Sequence, residues 1–139
     1  MTINEIQDEL IADFELFEDW TDKYGYIIEL GKKLGEIEEE HKKPENIIKG
    51  CQSNVWLIAE KTNEGKVLFS ADSEAIIVKG LVYMLLSVLS NHTPKEIIDA
   101  DLYFIDKIGM SQHLSPTRSN GLVAMVKQMK FYAIAFSSK

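Results

Sequence analysis

Residues 75–89 read AIIVKGLVYMLLSVL, the most apolar stretch of the chain, and no other segment constrains the fold as much. The stretch is 15 residues long and is interrupted by Lys79 and Gly80, so it falls short of the ~20 needed to cross a bilayer. It predicts a helix buried inside a soluble domain, beginning near Glu74 with Asp72 or Ser73 as its cap. A helix of this kind needs cover from the rest of the chain. With 139 residues there is enough for one domain, residues 1–139, that hides most of its apolar surface without disulfides. The 45% apolar share and only 3 prolines argue against disorder.

The cover is legible on both sides of that helix. Ile3, Ile6, Leu10, Phe14 and Phe17 recur at helical spacing, and so do Trp20, Tyr24, Ile27, Ile28, Gly31 and Leu34. Two amphipathic helices follow from this, bent apart near Asp19. The polar run EIEEEHKKPEN, residues 36–46, predicts a solvated loop. NVWLIA and KVLFS flank the turn Thr62-Asn63-Glu64-Gly65, which is a hairpin signature. Thr93-Pro94-Lys95-Glu96 spells a capping box with proline in the first turn, and Ser115-Pro116 repeats the start signal. Leu122, Met125, Val126, Met129, Tyr132, Ala133 and Phe136 stripe a long final helix. The expected class is α+β, a small antiparallel sheet covered by helices.

Charge narrows the partners. Residues 1–40 hold 13 acids and 3 bases, or −10, and the remainder holds 9 acids and 12 bases, or +3. An acidic half repels phosphate backbones, and no aromatic-basic groove is written into the chain, so neither nucleic acid nor membrane is expected as a partner. The acidic surplus marks either two solvated amphipathic helices or a face that meets a basic protein.

Chemistry-bearing residues are few. Cys51, in KGCQSNVWL, is the only thiol, and no basic stretch followed by an apolar core opens the sequence. Both features point to a reducing cytoplasm. Cys51, His41, His92 and His113 are scattered, with no pair at ligand spacing, so no metal or cluster site is expected from this chain alone. Three readings of Cys51 stand open on the residues themselves: a packing side chain in a non-catalytic interaction module, a thiol hydrolase with His113 as base, and a loop nucleophile. Gly50 directly before it and the polar Gln52-Ser53-Asn54 after it favour a loop thiol over a core one. Arg118 is the only arginine beside 14 lysines, a planar fork kept in the first turn of the last helix, where the helix dipole disfavours a cation.

KGCQSNVWL (49–57), ADSEAIIVKGL (71–81) and HLSPTRSNGL (113–122), in that order, resemble the SufE family of sulfur-acceptor proteins, the partners of pyridoxal-phosphate-dependent cysteine desulfurases. The similarity runs from about residue 10 to 136. It implies a fold of helices around an antiparallel sheet of about three strands, shared with scaffolds of the IscU type. It also implies that Cys51 accepts persulfide sulfur from a SufS-type or CsdA-type desulfurase, with Arg118 in a supporting role. The chain would stimulate that enzyme and pass the sulfur to a downstream acceptor or iron–sulfur scaffold. No cofactor is expected on the chain itself, because the pyridoxal phosphate belongs to the desulfurase. A lone thiol suits this chemistry, since a second one nearby would resolve the persulfide into a disulfide and release sulfide.

Overall fold

The computed structural model describes residues 1–51 and 53–137. Helices α1 (Ile3–Glu15) and α2 (Trp20–Gly31) open the chain. A capping box starts α1, with the Glu5 N–H donating to Thr2 Oγ1 at 3.1 Å and the Thr2 N–H to Glu5 Oε1 at 2.9 Å. Asp19, at the expected bend, caps α2 by accepting the Asp22 N–H at 2.9 Å. Two short 3-10 turns, Glu39–His41 and Pro44–Asn46, lead into an antiparallel hairpin of β1 (Val55–Lys61) and β2 (Val67–Ser73). Leu57 faces Ala71 across the ladder, and Lys61 pairs with Val67 at the turn.

The central helix α3 (Ile76–Leu89) follows, packed against α1, α2, β2 and the final helix, α7 (Pro116–Ser137). Leu81, Met84, Leu85, Val88 and Leu89 are each at most 1% exposed. Each such side chain contributes about 1.5–3 kcal/mol by leaving water. Helices α2 and α3 cross where Gly31 meets Gly80. A Cβ on Gly31 would lie 2.7 Å from the Gly80 nitrogen, and one on Gly80 would run into the Ile27 carbonyl. This contact is backbone against backbone, which only glycine allows. Among the described residues no helix is long and apolar enough to cross a membrane.

Helix α4 (Pro94–Asp99) starts at the expected Thr93/Glu96 capping box. Two short helices, α5 (Phe104–Ile108) and α6 (Met110–His113), fill a stretch to which periodicity assigns no element, and the 22-residue α7 closes the chain. What holds α5 in place is Gln7, fully buried on α1: its Nε2 donates to the Asp101 carbonyl at 3.0 Å, and its Oε1 accepts the Phe104 N–H at 3.1 Å. A buried amide satisfied on both sides fixes the α4–α5 connection to α1.

The fold class stands as expected, with three corrections. The sheet has two strands among the described residues, rather than about three, and is extended only by single bridges, Ile47 to Trp56 and Val67 to His92. Ile47 cannot grow into a strand because Pro44 holds a turn on one side and Gly50, at φ +98°, bends the chain on the other. Asp72 and Ser73 do not cap α3. Both belong to β2, and Ala75 occupies the cap position without a side-chain bond. The loop at 36–46 is mostly solvated but is tied to the fold at Lys42. Its ammonium lies 3.3 Å from Asp72 and 5.4 Å from the Trp56 ring centroid, beside Lys79, which is 3.6 Å from the same buried carboxylate. A carboxylate out of water needs such partners, and Lys42 straps the loop down by supplying one.

Candidate functional site

The segment carrying Cys51 is a short loop pinned at both ends. On one side the Ile48 N–H donates to the Val55 carbonyl at 2.9 Å. On the other, the Ser73 hydroxyl donates to the Asn54 carbonyl and the Asn54 amide to Glu74 Oε1, each at 2.8 Å. Between the pins, Gly50 takes a left-handed conformation that β-carbon-bearing residues rarely adopt. It also lies close to α7, since a Cβ there would stand 3.3 Å from the Ala124 methyl. These two constraints turn the next residue inward. Cys51 is free and half-buried, and its thiol donates to the Gly121 carbonyl at 3.6 Å.

Across from it begins α7. The Ser115 hydroxyl accepts the Arg118 N–H at 3.3 Å and the Ser115 carbonyl accepts the Ser119 N–H at 2.9 Å, so Ser115 caps the helix with Pro116 in its first turn. Loop and helix enclose an open cavity of about 330 Å³. Val78, Leu81 and Met125 give it an apolar floor, and Ser53, Ser115, Thr117 and Arg118 give it a polar rim, with Cys51 and Gly121 in the wall. The two residues singled out in the sequence, Cys51 and Arg118, therefore line one cavity although 67 positions separate them. Partial burial pushes the Cys51 thiol above its ordinary pKa, because the thiolate loses hydration there. At rest the sulfur is held as a thiol.

The histidines are elsewhere. His113 stacks on Trp20, with ring centroids 4.2 Å apart and planes 17° from parallel, and its carbonyl accepts the Tyr24 hydroxyl. It does not line the Cys51 cavity, so no thiol–imidazole couple is assembled for hydrolysis. Both ring nitrogens of His92 lie against backbone carbonyls, those of Ser90 at 3.0 Å and Met1 at 3.2 Å. Among the described residues, Cys51 takes part in no group of three or more metal-ligating side chains. Cys51 packs against the edge of the core, is only half-buried and also lines the cavity.

Gly121 and Thr117 join the site without having been singled out in the sequence, and Ser53 and Ser115, read there as loop and helix-start residues, join it as rim residues. For Gly121 a signal existed: a glycine inside a long helix lowers helix stability, and such a position usually has a packing or functional reason. For the serines and the threonine there was none, because a cavity rim is made by the fold.

Comparison with known proteins gives two results. The sequence model of the family described as SufE, Fe-S metabolism associated domain, matches residues 8–133. Among solved structures, the chain is similar to a hypothetical protein from Thermus thermophilus determined in solution. The TM-score is 0.78 with 16% sequence identity, over 96% of this chain and 97% of that one. At that identity the likeness shows the fold.

Proposed function

The chain belongs to the SufE family, a domain associated with iron–sulfur metabolism, and on that footing we propose that it is a sulfur-acceptor protein whose working group is Cys51. The observation that carries the reading is the chain's only thiol, turned by Gly50 into the wall of a cavity that Arg118 also lines. The donor is the persulfide of a cysteine desulfurase of the SufS or CsdA type. The pyridoxal phosphate that generates the persulfide resides there, and this chain carries no cofactor of its own.

The transfer is a thiol exchange. The Cys51 thiolate attacks the outer sulfur of the donor persulfide, a new Sγ–S bond forms, and the donor's S–S bond breaks with its thiolate leaving on the electron pair. The resting thiol must lose its proton for this step, and the cavity disfavours that loss. Gly50 and Cys51 therefore swing out between the two pins into the donor's site, where the partner's groups favour the thiolate, and return carrying sulfur. Arg118 stands at the rim, and no carboxylate lies within ion-pair distance of its guanidinium among the described residues. Its fork is free to dock on a partner carboxylate or backbone carbonyl, or to hold the loop closed. The product persulfide then serves a downstream acceptor or iron–sulfur scaffold in the cytoplasm.

Mixing the protein with a cysteine desulfurase and cysteine, followed by mass spectrometry of the intact chain, tests the reading. The expected result is a gain of sulfur mass on Cys51 together with faster alanine production by the desulfurase. A chain that stays at its own mass and leaves the desulfurase unstimulated overturns it.

A further inference from the structure

Gly121 is buried, lies in the sixth position of the longest helix, and adopts ordinary helical backbone there, so alanine would serve the helix better. Its distinguishing neighbour is sulfur. A Cβ built on Gly121 would lie 3.4 Å from Cys51 Sγ and 3.9 Å from Cys51 Cα and Cβ. Those are ordinary contact distances, so the resting thiol does not require a glycine. The loaded form makes a different demand. A sulfur bonded to Sγ stands about 2.05 Å beyond it. To stay at least ~3.5 Å from a carbon placed 3.4 Å from Sγ, it must avoid every direction within roughly 75° of that carbon. The Gly121 carbonyl, 3.6 Å from Sγ, already closes one side. A methyl group on Gly121, which itself lines the cavity, would widen the sector that the glycine's own backbone already excludes.

We propose that Gly121 reserves the room in which the outer sulfur of a Cys51 persulfide is kept inside the cavity, over the apolar floor of Val78, Leu81 and Met125. This deepens the sulfur-acceptor reading and rests on it. Gly121 is a positioning residue: it sets where the cargo lies, and it does not touch the donor. With the outer sulfur held there, a small nucleophile reaches it only through the rim. With a methyl at position 121 the persulfide still forms while the loop is out, but its outer sulfur has less of the cavity to return to and spends longer in solvent.

The test loads the full chain with inorganic polysulfide, whose sulfur Cys51 thiolate takes while a shorter polysulfide leaves. It then follows loss of that sulfur to cyanide, alongside alkylation of the unloaded thiol by iodoacetamide. Gly121→Ala is expected to melt no lower than the unsubstituted protein, yet to lose its sulfur roughly tenfold faster, the scale on which one surplus methyl acts in a packed site. That acceleration should exceed any change in its alkylation rate. Asn120→Ala, which raises helix propensity at an exposed neighbouring position, should leave sulfur loss unchanged. Equal persistence of the loaded sulfur in Gly121→Ala and the unsubstituted protein overturns the role of Gly121 and leaves the acceptor reading intact. An unsubstituted protein that takes no sulfur from polysulfide or from a desulfurase overturns the acceptor reading itself.

Discussion

Gly80 in α3 and Gly121 in α7 both stand inside helices, yet what lies against them differs. At Gly80 the missing side chain is replaced at once by the backbone of α2: the Ile27 carbonyl and methyl occupy the place a Cβ would take. At Gly121 the nearest atom to a Cβ is Cys51 Sγ at 3.4 Å, with an open cavity beyond. The first glycine yields its space to packing. The second leaves its space vacant beside the one reactive atom of the chain. Open space alone does not mark a site, since Gly25 in α2 also has nothing within 4 Å of a Cβ; what sets Gly121 apart is that its neighbour is the thiol.

The sharpest way to separate scaffold from site is Cys51→Ser, which keeps nearly the same volume and the donor to the Gly121 carbonyl but removes the nucleophile. Complete loss of sulfur acceptance is expected, with the melting temperature within a few degrees of the unsubstituted protein, since the side chain is only half-buried at a cavity wall where a hydroxyl can find a hydrogen-bond partner. Intact-mass measurement after incubation with a desulfurase and cysteine reads the first, and thermal denaturation the second. Sulfur on the serine variant would break the distinction.

Gly80→Ala is the converse. Its methyl meets backbone rather than the end of a side chain, so α2 and α3 must separate, at about 3 kcal/mol or more and roughly 10 °C in melting temperature. Cys51 in whatever fraction remains folded should still accept sulfur. A melting temperature like that of the unsubstituted protein would mean that the helices slide apart freely and that the crossing is no constraint.

Arg118 belongs to the site by position and to neither class of glycine. Arg118→Ala is expected to lower desulfurase stimulation roughly tenfold, the scale of a lost charged hydrogen bond. Arg118→Lys, which keeps charge without the fork, should fall between the two. The alkylation rate of Cys51 in the free protein divides the roles. An unchanged rate with weaker stimulation assigns Arg118 to docking, and a faster rate assigns it to holding the loop. Unsubstituted behaviour in both assays would remove Arg118 from the site.

The smallest effect is in pH. Burial disfavours the Cys51 thiolate, so its folded pKa lies above the unfolded one. The stabilisation tied to the neutral thiol is fully present below the unfolded value and is lost as pH rises through the folded value. The alkylation profile of the free protein should therefore have its midpoint above that of an unfolded cysteine peptide. In denaturant unfolding the protein should also lose stability more steeply in the alkaline range than Cys51→Ser does, where the slopes from Tyr26 and Tyr103 remain. A midpoint at or below the peptide's would mean that the cavity wall favours the thiolate, and the loop would not need to leave it to react.

By itself the sequence determined whatever is carried by local chemistry and periodicity. The apolar run at 75–89 could only be an interior helix, the Thr93 capping box could only begin one, and the turn at 62–65 joined two strands, because caps, turns and repeating faces act over a few residues. The lone thiol and lone arginine were equally visible, and the motifs around them carried the family. Tertiary structure decided everything that joins distant residues. Gln7 reaches across to Asp101 and Phe104 to fix helices that have no strong periodicity of their own. Lys42 leaves a polar run to neutralise Asp72, which β2 had drawn away from capping α3. The third strand stops at one bridge because Gly50 must turn the chain inward. The same turn sets Cys51 against Gly121, 70 residues on. Only packing could make that meeting, because a cavity belongs to no single segment: its floor, rim and vacant space come from a loop and two helices that the folded core alone holds together.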